Sequence, residues 1–451
     1  MILVCVLSLN CADHCIRNKM FNVIYFIILL FLVSTQSAKM ICYYDSSSHI
    51  REGPAQLSLQ DLEPALQFCQ YLIYGYAGID PESYQLRPLN KELDVARNHY
   101  HAITNLRRKY PQLLIFLSVG GDRDHFDEIV DNPYISLLEN QAHRNTFVNS
   151  ALAVLKAYDF DGLDLAWQFP KNHPIVVENR FKKAWKTFKG WFTGRKVVDE
   201  KAEEHKGQFA TLVHELKDAF RNDGLMLTLT MLPHVDADLF IDIPRVVPMV
   251  DFVNLGSYDF QTPERDPKVA DHTAPIYEMF ERDPTHNIDY QVQYWLNNSA
   301  PSNKINVGVP AYGRSWVMTR DSGITGYPPI EHTEGPGPAG KQINIPGLMS
   351  WPEICETLQR DKELDGEDAA LRKVGDPRQR YGSYAYRSAD VDGLYGLWVG
   401  YEEPSTAAIK AAYVYAKGLG GVALFDLSLD DFRGQCAGEK YPILRSIKFK
   451  L

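Results

Sequence analysis

The chain has 451 residues, which is enough for about three average domains or for one large domain with insertions. Apolar residues account for 45% of the sequence and charged residues for 23%, values that exclude a disordered, collagen-like or coiled-coil protein. Lysine and arginine total 47 against 57 acidic residues, and the net charge of −10 excludes a nucleic-acid-binding protein that relies on an overall basic surface.

The N-terminus has the layout of a secretory signal peptide. Eleven consecutive apolar residues, Val23–Val33, follow two basic residues and precede the small and polar stretch Ser34–Ala38. A membrane-spanning helix needs about 20 apolar residues, so this run is too short to cross a bilayer. We therefore interpret residues 1–38 as a signal peptide, with residues 1–19 as an upstream extension. We expect a secreted, extracellular protein that does not insert into membranes after signal removal.

Seven cysteines occur in the chain, and three of them fall within the predicted signal peptide. The other four are Cys42, Cys69, Cys355 and Cys436. An even number of cysteines in an oxidising compartment predicts two disulfides, and the spacing leaves their pairing open. One glycosylation sequon begins at Asn297 in a polar turn, where a glycan would be exposed.

Eight short apolar runs alternate along the chain with segments of helical apolar spacing. The runs are Met40–Tyr44, Tyr71–Tyr76, Leu113–Val119, Leu163–Trp167, Met226–Met231, Phe252–Leu255, Ile305–Val309 and Val422–Phe425. Eight strands that alternate with helices predict an α/β protein, a (β/α)8 TIM barrel, built from residues 39–312 and 396–451.

Two insertions interrupt the predicted barrel. The interval between the seventh and eighth strands is too long for one crossover, so we interpret residues 313–395 as an inserted α+β subdomain. Residues 171–206 follow the fourth strand directly and hold ten basic against five acidic residues. An aromatic helical stripe within this basic insertion predicts packing onto the body of the protein. Its position after a strand places it at the carboxyl-terminal mouth, where barrels of this class carry active sites.

Candidate functional residues cluster on the fourth strand, in the segment Asp159–Pro170. Period-two geometry places Asp164, Ala166 and Gln168 on one face, toward the barrel interior and mouth. Burial of an aspartate costs free energy unless its carboxylate is paired or hydrogen-bonded, so we expect Asp161 and Asp164 to have a structural or functional role. Two interpretations are open: turns and hydrogen bonds that serve the scaffold, or a binding or catalytic site.

This segment resembles the signature of glycoside hydrolase family 18, in which four acidic positions are spaced like residues 161, 164, 166 and 168 here. Further similarity lies in Ser118–Gly121, Ser257–Asp259, Gly308–Arg314, Gly420–Gly421 and Leu429–Phe432. The resemblance covers nearly all of residues 40–440. It implies that a catalytic glutamate would stand at position 168 and protonate the leaving oxygen, while the N-acetyl oxygen of the substrate attacks the anomeric carbon.

The sequence departs from the family pattern at two of the acidic positions. Gln168 replaces the glutamate, and an amide has no proton to transfer, so general acid catalysis is lost. Ala166 replaces the aspartate that orients and charge-stabilises the N-acetyl group. Sugar stacking is weakened as well, because Phe425 replaces a tryptophan in the central subsite and Gly256 replaces a methionine. We therefore expect an inactive homologue in which no residue is catalytic.

Other residues of the family's cleft persist, namely Tyr258, Asp259, Tyr312 and Trp398. With the replaced residue Phe425, they are the candidates for glycan contact that the resemblance implies. For this set, as for the two retained aspartates, a scaffold role and glycan contact both stay open, and the scaffold role is favoured.

A narrower resemblance, to the insect imaginal disc growth factors, rests on the fourth-strand pattern, Ser118–Asp124, Ile41–Ser46 and the insertion after strand four. Those proteins are secreted, catalytically inactive and chitinase-like. The resemblance implies a growth factor that promotes cell proliferation, polarisation and motility together with insulin-like peptides, through a cell-surface receptor. It also implies the disulfides Cys42–Cys69 and Cys355–Cys436.

Two other functions stay open. A secreted lectin for chitin fragments or N-acetylglucosamine-containing glycans is favoured by the retained aromatic residues and disfavoured by Phe425 and the basic insertion. A hydrolase with Glu402 or Glu403 as proton donor is disfavoured, because a carboxylate there suits a helix N-terminus. We expect no cofactor and no metal ion, since no cluster of His and Cys has metal-ligand spacing. A monomer is the default expectation.

Overall fold

The computed structural model describes residues 38–124, 132–170, 199–361 and 364–451. The predicted signal peptide up to residue 37 and the basic insertion up to residue 198, with its aromatic stripe, lie outside the described residues. Those two interpretations therefore stay predictions. In the part of the chain that the structure describes, no helix combines the length and the apolar character that crossing a membrane requires.

The strands in the described ranges are β1 (Lys39–Asp45), β2 (Tyr71–Ile79), β3 (Leu86–Pro88), β4 (Leu114–Gly120), β5 (Gly162–Ala166), β6 (Met226–Met231), β7 (Phe252–Leu255), β8 (Val269–Ala270), β9 (Ile305–Pro310), β10 (Tyr312–Val317), β11 (Ile330–Glu331), β12 (Leu348–Ser350), β13 (Arg372–Val374), β14 (Ser383–Arg387), β15 (Leu397–Tyr401) and β16 (Gly421–Phe425). The α-helices are α1 (Leu59–Leu66), α2 (His99–Thr104), α3 (Pro133–Glu139), α4 (Gln141–Tyr158), α5 (Ala202–Arg221), α6 (Ala237–Phe240), α7 (Ile243–Val246), α8 (Ile288–Asn297), α9 (Trp351–Gln359), α10 (Pro404–Ala416) and α11 (Pro442–Lys450).

Eight of these strands are parallel and form a closed barrel in the order β1, β2, β4, β5, β6, β7, β9, β16, with β16 pairing back to β1. Each of the eight predicted apolar runs coincides with one of them, so the predicted TIM barrel is confirmed. The short strand β3 pairs antiparallel with β2 at the outer edge.

The orientation of β5 follows from its outward-facing apolar residues. Trp167, just after the strand, is buried among three aromatic rings, those of Tyr134, Phe147 and Phe209, with centroids 5.0, 5.9 and 5.7 Å away. These rings belong to α3, α4 and α5, which cover the outside of the barrel. Because neighbouring residues of a strand point to opposite faces, this packing turns Asp164 and Ala166 toward the interior.

Between β9 and β16, five strands form an antiparallel sheet in the order β12, β10, β15, β14, β13. The predicted boundaries of the subdomain, 313–395, leave out Tyr312 and Leu397–Tyr401, which belong to this sheet. Every residue of Leu397–Tyr401 is buried, as in a barrel strand, so its sequence gives no sign of which sheet it joins.

Two disulfides join the pairs that the resemblance implied. Cys42 of β1 is bonded to Cys69, which lies just before β2. Cys355 of α9 is bonded to Cys436 in the C-terminal segment, across 81 positions of sequence. The predicted pairing is therefore confirmed, and the second bond fastens the inserted subdomain to the end of the chain.

Candidate functional site

Asp164 is completely buried in β5, and three hydroxyl groups hold its carboxylate. Ser118 donates to Oδ2 at 2.8 Å and Thr228 donates to Oδ1 at 2.7 Å. Thr230 donates at 2.8 Å and lies equally close to both oxygens. Burial raises the pKa of Asp164, and the three hydroxyl donors offset part of that rise. The carboxylate therefore finds its hydrogen-bond partners within the barrel wall.

The polar layer around Asp164 continues as a chain of hydrogen bonds. Asn306 donates to Asn254 at 2.9 Å, and the Asn254 amide donates to the hydroxyl of Tyr43 at 2.8 Å. The hydroxyl oxygens of Tyr43 and Thr230 lie 2.5 Å apart. Because the Thr230 hydroxyl donates its only proton to Asp164, the Tyr43 hydroxyl is the donor in this pair. A connected network of this kind rigidifies a barrel interior and explains the retained aspartate as part of the scaffold.

Ala166 lies in an apolar cluster at the barrel mouth. It is fully buried, together with its neighbours Tyr76 and Leu232. Around them pack Leu89, Val235 and Phe425. The resemblance to the hydrolases implies a carboxylate at this position, whereas the methyl group of Ala166 is a member of this apolar cluster.

Gln168 has a hydrogen-bond partner of its own in the barrel. The side chain is 2% exposed, and its amide nitrogen Nε2 donates to the main-chain carbonyl oxygen of Gly121. This bond joins the segment after β5 to the segment after β4. An ionised carboxylate has no proton to donate, so the contact requires an amide or a protonated acid at position 168.

Two glycines allow the strand ends to approach each other at this point. Gly121 has a φ of +62°, and a Cβ atom there would lie 2.1 Å from the ring of Tyr76. Gly120 has a φ of +96°, and a Cβ atom there would lie 2.2 Å from the carbonyl oxygen of Ala166. The glycines of the Ser118–Gly121 motif are thus required by the packing of the mouth.

Three of the five predicted cleft residues form an aromatic group at the carboxyl ends of the barrel strands. The rings of Tyr258 and Phe425 stack with centroids 5.8 Å apart, and Tyr258 meets Tyr312 edge-on at 6.3 Å. Tyr258 and Tyr312 are buried, whereas Phe425 is half-buried. Phe425 is therefore the member of this group that offers the most surface to a ligand.

The carboxylate of Asp259, the fourth predicted cleft residue, is bound by the side chains of an arginine and a tyrosine. Arg314 binds its carboxylate through two nitrogens, with Nε 3.0 Å from Oδ1 and Nη2 2.6 Å from Oδ2. Tyr312 donates its hydroxyl proton to Oδ2 at 2.8 Å, and Arg265 donates to the Asp259 main-chain carbonyl. A bidentate ion pair of this type fixes both side chains, so Asp259 positions the loop after β7.

The structure places two of the singled-out residues away from the mouth. Asp161 precedes β5 at the opposite end of the barrel, where it accepts from the Ile115 amide at 2.7 Å and from Arg107 at 2.6 Å. Trp398, predicted to line the cleft, is fully buried in the subdomain core, stacks on Tyr384 and donates to a main-chain carbonyl at 3.1 Å. The cleft assignment of Trp398 is thus corrected, because its strand belongs to a second sheet with a core of its own.

A cluster of charges at the mouth was not among the predicted site residues. Asp45, at the end of β1, accepts from Arg51 at 3.4 Å and from the half-exposed Arg123. Arg51 also donates to Ser428 at 3.0 Å. Beside them, burial and then the charge of Asp45 raise the pKa of Asp426 to about 6. Asp45 and Arg123 lie in two of the motifs that carry the growth-factor resemblance. Those motifs are the sequence signal from which this charge cluster could have been predicted.

Glu402 and Glu403 are both engaged in structural contacts. Glu402 is buried and forms an ion pair with Lys410 of α10. Glu403 caps the N-terminus of α10 through a reciprocal capping box with Thr406, and it also accepts from Ser383 at 2.8 Å. Among the described residues, no group of three or more His, Cys, Asp or Glu side chains is arranged to hold a metal ion.

The sequence has close relatives of known family. A family model described as "Glycosyl hydrolases family 18" matches residues 39–430. Chitinase-like protein Idgf5 of Drosophila melanogaster is 57% identical over 441 residues, which cover 96% of this chain and 99% of that protein. Imaginal disk growth factor 6 of the same species is 52% identical, over 94% of this chain and 98% of that protein.

Solved structures of chitinases share the fold. Catalytic domain 2 of the Group II chitinase of Ostrinia furnacalis superposes with a TM-score of 0.76 at 29% identity, over 92% of this chain and 96% of that one. A mutant of that domain, solved in complex with penta-N-acetylchitooctaose, matches equally well. Human YKL-39, described as a pseudo-chitinase with retained chitooligosaccharide binding properties, superposes with a TM-score of 0.72 at 24% identity, which speaks to the fold alone.

Proposed function

Since the chain belongs to glycosyl hydrolase family 18 and, within it, to the chitinase-like imaginal disc growth factors, we propose that it is a secreted, catalytically inactive growth factor. In this proposal it promotes cell proliferation, polarisation and motility together with insulin-like signals, and it acts through a receptor at the cell surface.

The environment of Gln168 is the observation that carries the proposal of inactivity. The position where the family resemblance calls for a proton donor holds an amide, and that amide is already bound to the Gly121 carbonyl. Ala166 offers no charge to a developing oxazolinium ion, because its side chain is a methyl group. Two cooperating functions of the hydrolase are missing together, so chemistry on a sugar is disfavoured and a binding role is favoured.

A hydrolysis assay with fluorogenic chitotriose tests the inactivity. We expect the secreted protein to show no turnover above a buffer blank, while an active family 18 chitinase at the same concentration consumes the substrate. Turnover well above the blank, retained through a further purification step, would overturn the proposal of inactivity.

A cell assay tests the growth-factor role. Purified protein added to cultured insect imaginal disc cells with insulin should raise cell number above insulin alone, and a heat-unfolded sample serves as the matched control. Equal growth with native and unfolded protein would contradict the growth-factor role.

Secretion is supported by the signal-peptide pattern and by the two disulfides, which form in oxidising compartments. The side chain of Asn297, at the end of α8, is exposed and therefore accessible for glycosylation. Expression in insect cells should yield medium-borne protein carrying one N-glycan, which Asn297→Gln removes. Retention of wild-type protein inside the cells would contradict the secretion proposal.

A secreted lectin is the second candidate function, favoured by one observation. Phe425 is half-buried at the mouth and stacked on Tyr258, an arrangement that offers a ring to a sugar. The 29% identical chitinase domain was solved with a bound chitin oligosaccharide even as a mutant. Calorimetric titration with chitohexaose tests this function. Binding that Phe425→Ala abolishes and Phe280→Ala leaves intact would support a lectin. Absence of binding heat at millimolar sugar would exclude it.

A further inference from the structure

Six large apolar side chains are exposed at one end of the inserted subdomain. Their exposed fractions run from 46% to 81%, while other apolar side chains of the same subdomain form a buried core. They are Ile324, Tyr327, Leu364, Val391, Leu394 and Tyr395, and we call this set the distal patch. Scattered single exposures need no explanation, but a contiguous group does.

Hydrogen bonds join the three chain segments that carry the distal patch. Ser388 donates to the main-chain carbonyl of Ile324 at 3.3 Å, which links the turn after β14 to the loop after β10. Arg387 donates to the carbonyl of Tyr395 at 2.7 Å and to that of Glu367 at 3.0 Å, which brings in the segment after α9. These bonds, from side chains to main-chain carbonyls, bring the three segments that carry the six exposed side chains next to one another.

The register of the sheet locates this surface within the subdomain. β10 ends at Val317 opposite Leu397, where β15 begins and where Arg387 ends β14. The other ends of the same strands, at Tyr312 and Tyr401, adjoin the barrel strand β9 and the helix α10. The distal patch thus lies at the end of the sheet remote from the barrel, separate from the degenerate sugar site.

Acidic residues outnumber basic ones in the segments that carry the distal patch. In the described parts of segments 320–328, 360–369 and 387–396, seven acidic residues stand against three arginines. The acidic residues are Asp321, Asp361, Asp365, Glu367, Asp368, Asp390 and Asp392, and the arginines are Arg320, Arg360 and Arg387. Arg387 donates its hydrogen bonds to main-chain carbonyls, and Arg360 forms an ion pair with Asp368 at 3.9 Å. These charged residues, which we call the rim of the patch, therefore carry net negative charge.

Size and charge indicate what covers the patch. At roughly 150 to 200 Å² for a fully exposed large side chain, the six together present on the order of 600 Å² of apolar surface. A specific interface buries about 800 Å² per partner, so the patch and its rim match one such interface. A second copy of the chain would bring like charges together, whereas a cationic rim would be attracted.

We propose that the distal patch is the surface through which this protein binds its receptor, and that the receptor presents an apolar face ringed by lysine and arginine. This inference rests on the proposed growth-factor function and adds to it the site and the chemistry of the partner. The degenerate barrel mouth then has no part in receptor binding.

Equilibrium binding of fluorescently labelled protein to cultured imaginal disc cells tests the inference. We expect saturable binding that the double variant Ile324→Ser, Val391→Ser weakens at least tenfold. Phe280→Ser, which removes an equally exposed apolar side chain outside the patch, should change affinity less than twofold. The charge reversal Asp321→Lys, Asp392→Lys should weaken binding at low salt, while Glu278→Lys, Glu281→Lys should not.

Each other outcome has a separate meaning. Saturable binding that neither patch variant alters overturns the distal patch as the receptor site and leaves the receptor itself in place. Absence of saturable binding by the wild type overturns the receptor proposal and the patch with it. A wild-type dimer in sedimentation velocity that Ile324→Ser, Val391→Ser dissociates would assign the patch to self-association and overturn the inference as stated. Thermal unfolding of every variant checks that each one is folded.

Discussion

The side-chain amide of Gln168 donates to the main-chain carbonyl of Gly121 and ties the end of β5 to the end of β4. An ionised glutamate, the residue expected there in an active relative, would place an acceptor against an acceptor. The exchange of glutamate for glutamine thus removes a proton donor and supplies a structural contact in one step. The proposed inactivity and this structural contact therefore depend on the same residue.

The first prediction concerns Gln168→Glu alone. The new carboxyl group can donate to the Gly121 carbonyl only when protonated, so its folded-state pKa will lie above the ordinary glutamate value of about 4.3. Stability close to wild type is expected below pH ~4, and it is lost as the pH rises through the folded-state pKa. Near pH 7 the loss should be about 1 to 3 kcal/mol in urea unfolding.

Gln168→Leu is the matched control for this experiment. It removes the hydrogen bond without adding a titrating group, so its stability deficit should not change with pH. A Gln168→Glu deficit that is equally flat from pH ~4 to ~8 would show that the carboxyl group does not face the Gly121 carbonyl.

The second prediction concerns the double variant Gln168→Glu, Ala166→Asp. It restores both acidic positions of the family signature, yet the new aspartate enters the apolar cluster of Tyr76 and Leu232. A buried carboxylate without partners is costly, so we expect a destabilisation of about 2 to 4 kcal/mol and no hydrolysis of fluorogenic chitotriose. Turnover by this variant would show that the cleft can still bind a sugar substrate. It would also show that the residues at positions 166 and 168 alone account for the absence of hydrolysis in the wild type.

Much of the barrel was predictable because a buried parallel strand is a short, nearly continuous apolar run. The eight runs from Met40 to Phe425 needed no tertiary information. The resemblance assigned Trp398 to the cleft, and the apolar pattern of Leu397–Tyr401 could not correct this, because such a strand looks the same in a barrel and in the core of a second sheet.

Side-chain partners were much less predictable than strands. Asp259 and Arg314 both lie in motifs that resemble family 18, but 55 positions separate them and nothing local in the sequence indicates their ion pair. That the Gln168 amide cannot act as an acid follows from its chemistry alone, whereas the acceptor of its hydrogen bond is a main-chain carbonyl, which has no sequence signal. Contacts of this kind are fixed by how strand ends meet.

The third prediction concerns the pH dependence of stability at the mouth. Burial and the charge of Asp45 raise the pKa of Asp426 from 3.8 to about 6, against the opposing effect of Arg51. Because the folded-state value is the higher one, the stabilisation from the protonated form is complete below pH ~4 and is lost as the pH rises through about 6. The loss should amount to at most about 3 kcal/mol.

Asp426→Asn isolates this contribution. The variant keeps an oxygen for Ser428, which donates to Oδ1 of Asp426 at 2.7 Å through its main-chain amide. Subtracting its unfolding free energy from that of the wild type at each pH cancels the titrating groups that do not interact with Asp426, and leaves Asp426 with its coupling to Asp45. We expect the difference to fall between pH ~4 and ~7, and parallel curves for the two proteins would contradict the shifted pKa.

The fourth prediction compares the two disulfides. The Cys355–Cys436 bond closes a loop across 81 positions and the Cys42–Cys69 bond a loop across 27. The chain-entropy model gives about 4.5 kcal/mol for the longer loop and about 3.5 kcal/mol for the shorter one. Paired Cys→Ala variants measured by urea unfolding should therefore show the larger loss for Cys355 and Cys436. If removal of Cys42 and Cys69 costs more, packing of β1 against its neighbours, rather than loop entropy, dominates the contribution of that bond.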